Sequence, residues 1–89
     1  MILVDAATWP GRGRLWCHVV SDTSFDELHA FAASVGLPER AFERDHYDVP
    51  EERRPEVVAA GAREVSSREI IAALEAAGLR RPKHRPWPV

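Results

Sequence analysis

The sequence predicts a single α/β domain, a four-stranded and mostly parallel sheet carrying three helices. Three observations lead there. Short apolar, β-branched runs alternate along the chain with segments whose apolar residues recur at helical spacing. Each helical segment opens on a serine cap or on acids and closes on a glycine. The length, 89 residues, accommodates one core only: ordering that many residues costs roughly 130 kcal/mol at about 1.5 kcal/mol each, and too little surface remains to bury in a second core.

Taken in order, Ile2-Leu3-Val4 is a continuous apolar run ending at Asp5, the pattern of a strand buried on both faces. Ala6 to Arg14 contains Pro10, Gly11 and Gly13 and is expected to be a loop of nine residues. Leu15 to Val20 places Leu15, Cys17 and Val19 on one face and Trp16, His18 and Val20 on the other, as in a central strand. Ser24 with Glu27 three residues later is a capping-box signature. From there Leu28, Phe31, Ala32 and Val35 fall within about 120° on a helical wheel, and Gly36 and Pro38 end the helix. Asp45 to Val49 has the aromatic and β-branched content of a short third strand. Pro50 to Gly61 begins with acids, carries Pro55 and ends in glycine, which predicts a short second helix. Ala62 to Val65 makes a fourth strand. Ser66 with Glu69 then caps a third helix whose Ile70, Ile71, Leu74 and Ala77 share one face before Gly78. Residues 1–79 are thus the domain, and 80–89 are expected to form a mobile, basic, proline-rich tail.

Charge is divided unevenly between the two. The chain carries 12 Lys and Arg against 14 Asp and Glu. Arg80, Arg81, Lys83 and Arg85 lie in the tail without an acid, so the body holds eight cations against 14 acids, a net −6. A negative body excludes broad electrostatic attraction to nucleic acid, although the tail with Trp87 suits an anionic strand. Cys17 is alone, which rules out an internal disulfide, and no apolar run reaches the roughly 18 residues of a membrane span. The expected setting is the cytoplasm, away from the membrane.

In open sheets, ligands collect beyond the strand ends. Asp5, Asp22 and Asp48 each follow an expected strand, and three carboxylates there would suit Mg²⁺ or Mn²⁺. Their convergence requires the first two strands to be parallel. The nine-residue loop, about 30 Å when extended, permits that and also permits an antiparallel pair. His18, His29 and His46 lie on a strand, the next helix and the next strand, a set that could approach one region and bind Zn²⁺ or Mn²⁺ alongside Asp5 and Asp48. Asp22 and His29 are about 10 Å apart along a helix, too far to share an ion without departing from its axis. Satisfied structural roles, the more common use of such residues, also account for them: Asp as cap, His bonded to a carboxylate or a backbone carbonyl. Arg12 and Arg14 flank glycine in a loop suited to phosphate. Cys17 and His18 point to opposite faces and cannot pair as nucleophile and base. Ser21, Thr23, Ser66 and Ser67 read as cap and turn residues.

Ile2-Leu3-Val4-Asp5, Gly13-Arg14-Leu15-Trp16-Cys17-His18, Ser21-Asp22-Thr23, Glu27 to Ala32 and His46-Tyr47-Asp48 together resemble an uncharacterised family of short actinobacterial and bacteriophage proteins known as a domain of unknown function. The resemblance covers about residues 2–79. It implies that Asp5, His18, Asp22, His29, His46, Tyr47 and Asp48 are the family's signature polar residues, and it implies no reaction.

Two functions are consistent with this pattern. One is a non-catalytic binding or regulatory module in which the His and Asp residues form a buried polar cluster, with tryptophans Trp9, Trp16 and Trp87 available for a homodimer interface. The other is a metal-dependent hydrolase acting on a phosphoester, a nucleotide or nucleic acid. In the second, Asp5, His18, His29, His46 and Asp48 hold a divalent Zn, Mn or Mg ion and Asp22, His46, Tyr47 and Asp48 are the catalytic candidates. Arg12 and Arg14 then neutralise the phosphate.

Overall fold

The apolar run at the start of the chain forms β1 (Ile2–Val4), buried at all three positions. The computed structural model describes residues 1–81; residues 82–89 of the expected tail, with Lys83, Arg85 and Trp87, lie outside the described residues.

The Gly-Pro segment is not a plain loop. Trp9–Gly11 form β2, which pairs antiparallel with the long β3 (Arg14–Ser21). Between them Arg12 and Gly13 turn the chain with φ of +49° and +77°, the two positive values that a two-residue hairpin turn requires and that glycine supplies without steric cost. Pro10 is tolerated because β2 pairs with β3 alone and needs no donor on its outer side. β1 is also antiparallel to β3, with Val4 opposite Val19, while Trp9 lies opposite Trp16. The chain advances five residues from Val4 to Trp9 where β3 advances three. β1 and β2 are thus one broken edge along β3, interrupted by a two-residue bulge within Asp5–Thr8.

Helix α1 (Phe25–Ser34) follows β3, with Ser24 accepting from the Glu27 backbone N–H as its cap. A 3₁₀ turn at Glu39–Ala41 leads into β4 (Phe42–Glu43), which forms a hairpin with β5 (His46–Pro50) through Arg44 and Asp45. β5 then lies antiparallel along the other edge of β3, with His18 opposite Asp48. A second 3₁₀ turn, Glu51–Arg53, runs into α2 (Arg54–Ala59). Next come β6 (Arg63–Glu64), parallel to β1, and α3 (Ser67–Ala76) behind a complete Ser66/Glu69 capping box.

Among the described residues the architecture is mixed α/β with three α-helices, but the sheet has six strands in the order β4-β5-β3-β1-β6, with β2 also on β3. Among the described residues only β1–β6 is a parallel pair. This corrects the expected four-stranded, mostly parallel sheet. The two unrecognised hairpins are the reason: a two-residue turn can join only antiparallel neighbours.

Alternation along the strands divides the core. On one face Val4, Cys17, Val19, Tyr47 and Val49 pack against Leu28 and Ala32 of α1 and Val57 of α2. On the other, Leu3 and Val20 pack against Ile70 and Leu74 of α3. Ten-residue α3 covers only that end of its face, and the continuation of the same face across β3 and β5 presents His18, His46 and Asp48. Among the described residues no helix is long and apolar enough to cross a membrane.

Candidate metal centre

The site begins with the bulge. Asp5 lies opposite His18 and still donates its backbone N–H to the His18 carbonyl (3.3 Å). The chain then leaves the ladder, and the Asp5 carboxylate takes the place of the missing main-chain acceptor. Oδ1 accepts the His18 backbone N–H at 2.6 Å, and Oδ2 accepts from His18 Nδ1 at 2.9 Å, Ser67 Oγ at 2.6 Å and Trp9 Nε1 at 3.3 Å. Asp5 is fully buried. Burial alone would raise its pKa, but the hydrogen bonds from the His18 ring and backbone and from Ser67 outweigh burial and hold the carboxyl below its ordinary value. An ionised Asp5 keeps the proton of neutral His18 on Nδ1 and leaves Nε2 as a free lone pair.

β5 builds the other half. His46 and Asp48 are two residues apart on one strand and therefore share a face. His46 Nδ1 bonds to Asp45 Oδ1 at 2.7 Å, and its Nε2 lies 3.1 Å from Asp48 Oδ1. The buried Asp45 sits in the β4–β5 turn, where Arg44 adopts a φ of +59°. Its Oδ2 accepts the Arg81 backbone N–H at 2.7 Å and Arg80 at 3.4 Å, so the first two residues of the expected tail are tied to the domain. Burial depresses the His46 pKa, but Asp48 and Asp45 on its two nitrogens overcome this and raise it above the ordinary histidine value. Asp45 and Asp48 are both held low: burial pushes each up, and the His46 hydrogen bond heads the effects that pull each down.

The two imidazoles meet edge to face, 4.9 Å between centroids, over the partly exposed Asp48, whose Oδ1 is 3.9 Å from His18 Nε2. One ligand atom from each of His18, His46 and Asp48 lies within 4.8 Å of the others. Tetrahedral zinc with bonds near 2.05 Å needs ligand atoms about 3.3 Å apart. The His46–Asp48 edge, 3.1 Å, already meets that, rotation of the Asp48 carboxylate, 42% exposed, can shorten the 3.9 Å His18–Asp48 edge, and the His18–His46 edge would close only by a small shift of the two rings. Each histidine is backed on Nδ1 by a buried carboxylate, the arrangement that fixes tautomer and ring orientation in metal sites.

Other sequence candidates lie elsewhere. His29 is on α1, across the sheet, bonded through Nδ1 to Tyr47 Oη at 2.7 Å. Tyr47 alternates onto that same face, so neither it nor His29 joins the cluster. Asp22 lies at the opposite end of β3 and binds the Met1 amino group at 2.8 Å. The expected convergence of Asp5, Asp22 and Asp48 therefore does not occur: with β1 antiparallel, Asp5 and Asp22 belong to opposite ends of the β1–β3 pair. Asp5 backs His18 rather than standing beside it as a third ligand. Arg14 stacks over Trp16 and pairs with Glu52 at 2.6 Å. Arg12 lines an open cleft of about 760 Å³ together with Trp9, Trp16, His18, Arg40 and Asp48. Cys17 is buried, its thiol pushed up to about 11 chiefly by burial, so it carries no nucleophilic role.

Sequence reading missed Asp45, Arg40 and the bond from Ser67 to Asp5. Asp45 left a signal, since Asp-His-x-Asp puts a backing carboxylate beside a histidine that shares a face with an acid. Ser67 and Arg40 left none, as both are ordinary surface residues until the fold closes.

A family model described as a protein of unknown function (DUF4031) matches residues 2–77. No curated protein and no solved structure matches the chain. The family match runs from β1 through α3 and contains Asp5, His18, Asp45, His46, Asp48 and Ser67, and the chain therefore belongs to the DUF4031 family of proteins of unknown function.

Proposed function

We propose that this protein is a divalent-metal-dependent hydrolase of phosphoesters, acting in the cytoplasm, with His18, His46 and Asp48 as its ligands. The observation that carries the reading is the pairing of two histidines with two buried carboxylates, Asp5 and Asp45, so that the opposite ring nitrogens face a common, half-exposed Asp48. Two imidazoles and one carboxylate suit Zn²⁺ or Mn²⁺ better than Mg²⁺, which prefers oxygen. The chemistry such an ion supplies is polarisation of a phosphoryl oxygen and acidification of a bound water. In the overall reaction the water oxygen forms a new P–O bond, the ester P–O bond breaks, and the departing oxygen leaves with a proton. The chain's own contribution is orientation: Asp5 and Asp45 lock the rings, and Arg12 and Arg40 offer positive charge to the phosphate across the cleft.

The test is elemental analysis of untagged protein purified without chelator, with melting scans in EDTA and in added Zn²⁺, Mn²⁺ or Mg²⁺, followed by a phosphoesterase screen with the stabilising ion. The expected result is near-stoichiometric metal, or a melting temperature raised by one ion, with both effects lost in His18→Ala and Asp48→Ala. Wild-type metal content in both variants would refute the ligand set.

A second reading has its own support. Among the described residues no buried side-chain polar atom lacks a partner, which is also what a purely structural polar network requires. Under it the protein is a binding or regulatory module, with the exposed Trp9 as a contact for a second copy, and metal neither binds nor stabilises. Light scattering that returns a strict monomer removes the homodimer.

A further inference from the structure

We infer that the cleft beside the histidine cluster binds a nucleotide unit, with its phosphate near Arg12 and Arg40 and its base stacked on Trp9. This deepens the proposed function and rests on it.

Charge alone would fit any phosphate ester; the aromatic wall narrows the class. Trp9 is 47% exposed, yet its indole is held at two points, by Nε1 on Asp5 Oδ2 at 3.3 Å and by edge-to-face packing on the His18 ring at 5.0 Å. An exposed ring that is already immobilised loses little further freedom when a flat partner covers it. Its contact with His18 places that partner beside the proposed ligands. Nucleotides are phosphate esters that carry a large planar group, the base, and base–indole stacking tolerates any base.

The cations complete the match. Arg14, Arg44, Arg53, Arg54 and Arg80 each bond to an acid. Arg12, Arg40, Arg63, Arg68 and Arg81 have no acidic partner among the described residues, and of these five Arg12 and Arg40, both exposed, are the two on the cleft wall. Arg12 is further poised by stacking over Trp16, 5.7 Å from the ring centroid. Two unpaired guanidinium groups in a body of net negative charge mark a local anion site rather than a general basic surface. The cleft, about 760 Å³ and open to solvent, admits a free mononucleotide and equally the phosphorylated end of a single strand.

The test uses the full chain, with metal content measured first, and follows tryptophan fluorescence and calorimetry with adenosine 5′-monophosphate, ribose 5-phosphate, adenosine and a 5′-phosphorylated hexathymidylate. Adenosine monophosphate or the oligonucleotide should bind at least tenfold more tightly than ribose 5-phosphate or adenosine. Arg12→Gln and Arg40→Gln, both at the surface, should each weaken binding about tenfold with metal content unchanged. Tighter binding of the oligonucleotide identifies a strand end as the ligand, and tighter binding of the monophosphate a free nucleotide. Equal affinity for ribose 5-phosphate and adenosine monophosphate overturns the inference, as does no binding by metal-loaded protein, and both leave the metal site standing. Nucleotide binding by protein that takes up no metal supports the inference and refutes the hydrolase reading.

Discussion

Replacing Asp5 by asparagine separates the two roles of this residue, stabilising the bulge and setting the tautomer of His18. Asp5→Ala is the poorer experiment: it strands the His18 backbone N–H, the His18 Nδ1–H and the Ser67 hydroxyl, which at about 1–3 kcal/mol for each buried orphan approaches the total stability of roughly 4–13 kcal/mol expected for a domain of this length. Asparagine keeps the shape. Its Oδ1 should remain on the His18 backbone N–H (2.6 Å in the native protein), because the reverse orientation opposes two donors at that short distance, whereas Nδ2 in the Oδ2 position opposes only the longer 3.3 Å donor of the half-exposed Trp9 indole. That leaves Nδ2 as a donor 2.9 Å from His18 Nδ1, which must then become the acceptor. The ring proton moves to Nε2 and points at Asp48, where the metal should be. Exchange of charge-assisted for neutral hydrogen bonds costs about 1–2 kcal/mol, or a fall in Tm of roughly 5–15 °C in EDTA for a domain of this size. Loss of the ligand's backing carboxylate weakens metal binding roughly 10–100-fold. Chelator competition gives the affinity, urea unfolding the stability, and the long-range nitrogen shifts of the imidazole the tautomer. A folded Asp5→Asn protein that keeps its proton on Nδ1 and binds metal within threefold of wild type would refute the argument.

Four further outcomes follow from the same geometry. Because the folded pKa of His46 is raised, its contribution to the stability of the metal-free protein is fully present below the ordinary histidine pKa near 6.5 and is lost as pH rises through the folded value; urea midpoints in EDTA should show this loss, and His46→Gln should flatten it. Zn²⁺ affinity should move the other way over that interval, with proton release seen as a buffer-dependent heat in calorimetry, since the ion displaces the Nε2 proton. Truncation after Leu79 removes both partners of Asp45 Oδ2 and should lower metal affinity about tenfold in the same chelator competition. His29→Ala should leave metal affinity within twofold and cost only about 0.5–1.5 kcal/mol in urea unfolding through the lost bond to Tyr47, because the sheet stands between it and the cluster.

Local signals carried much of the fold. The caps at Ser24 and Ser66, the stops at Gly36 and Gly78 and the apolar faces of α1 and α3 depend on residues within a few positions of one another, so they are legible along the chain. The alternation that sends His18 away from Cys17, and that puts His46 and Asp48 on one side of β5, is equally local. Strand direction is not, because it depends on how two distant segments pair. Trp9-Pro10-Gly11-Arg12-Gly13-Arg14 reads as a breaker until β3 supplies hydrogen bonds that make Arg12 and Gly13 a hairpin turn. The same pairing set Asp5, His18 and Asp48 in one row across three strands, turned His29 and Tyr47 to the far side, and left Asp22 at the other end of β3. The sequence by itself thus determined which side chains are chemically suited to a site and which strand face each one takes. Only the tertiary structure decided which of them meet, because a contact between residues 5, 18, 48 and 67 exists only once β1, β3, β5 and the start of α3 are brought together.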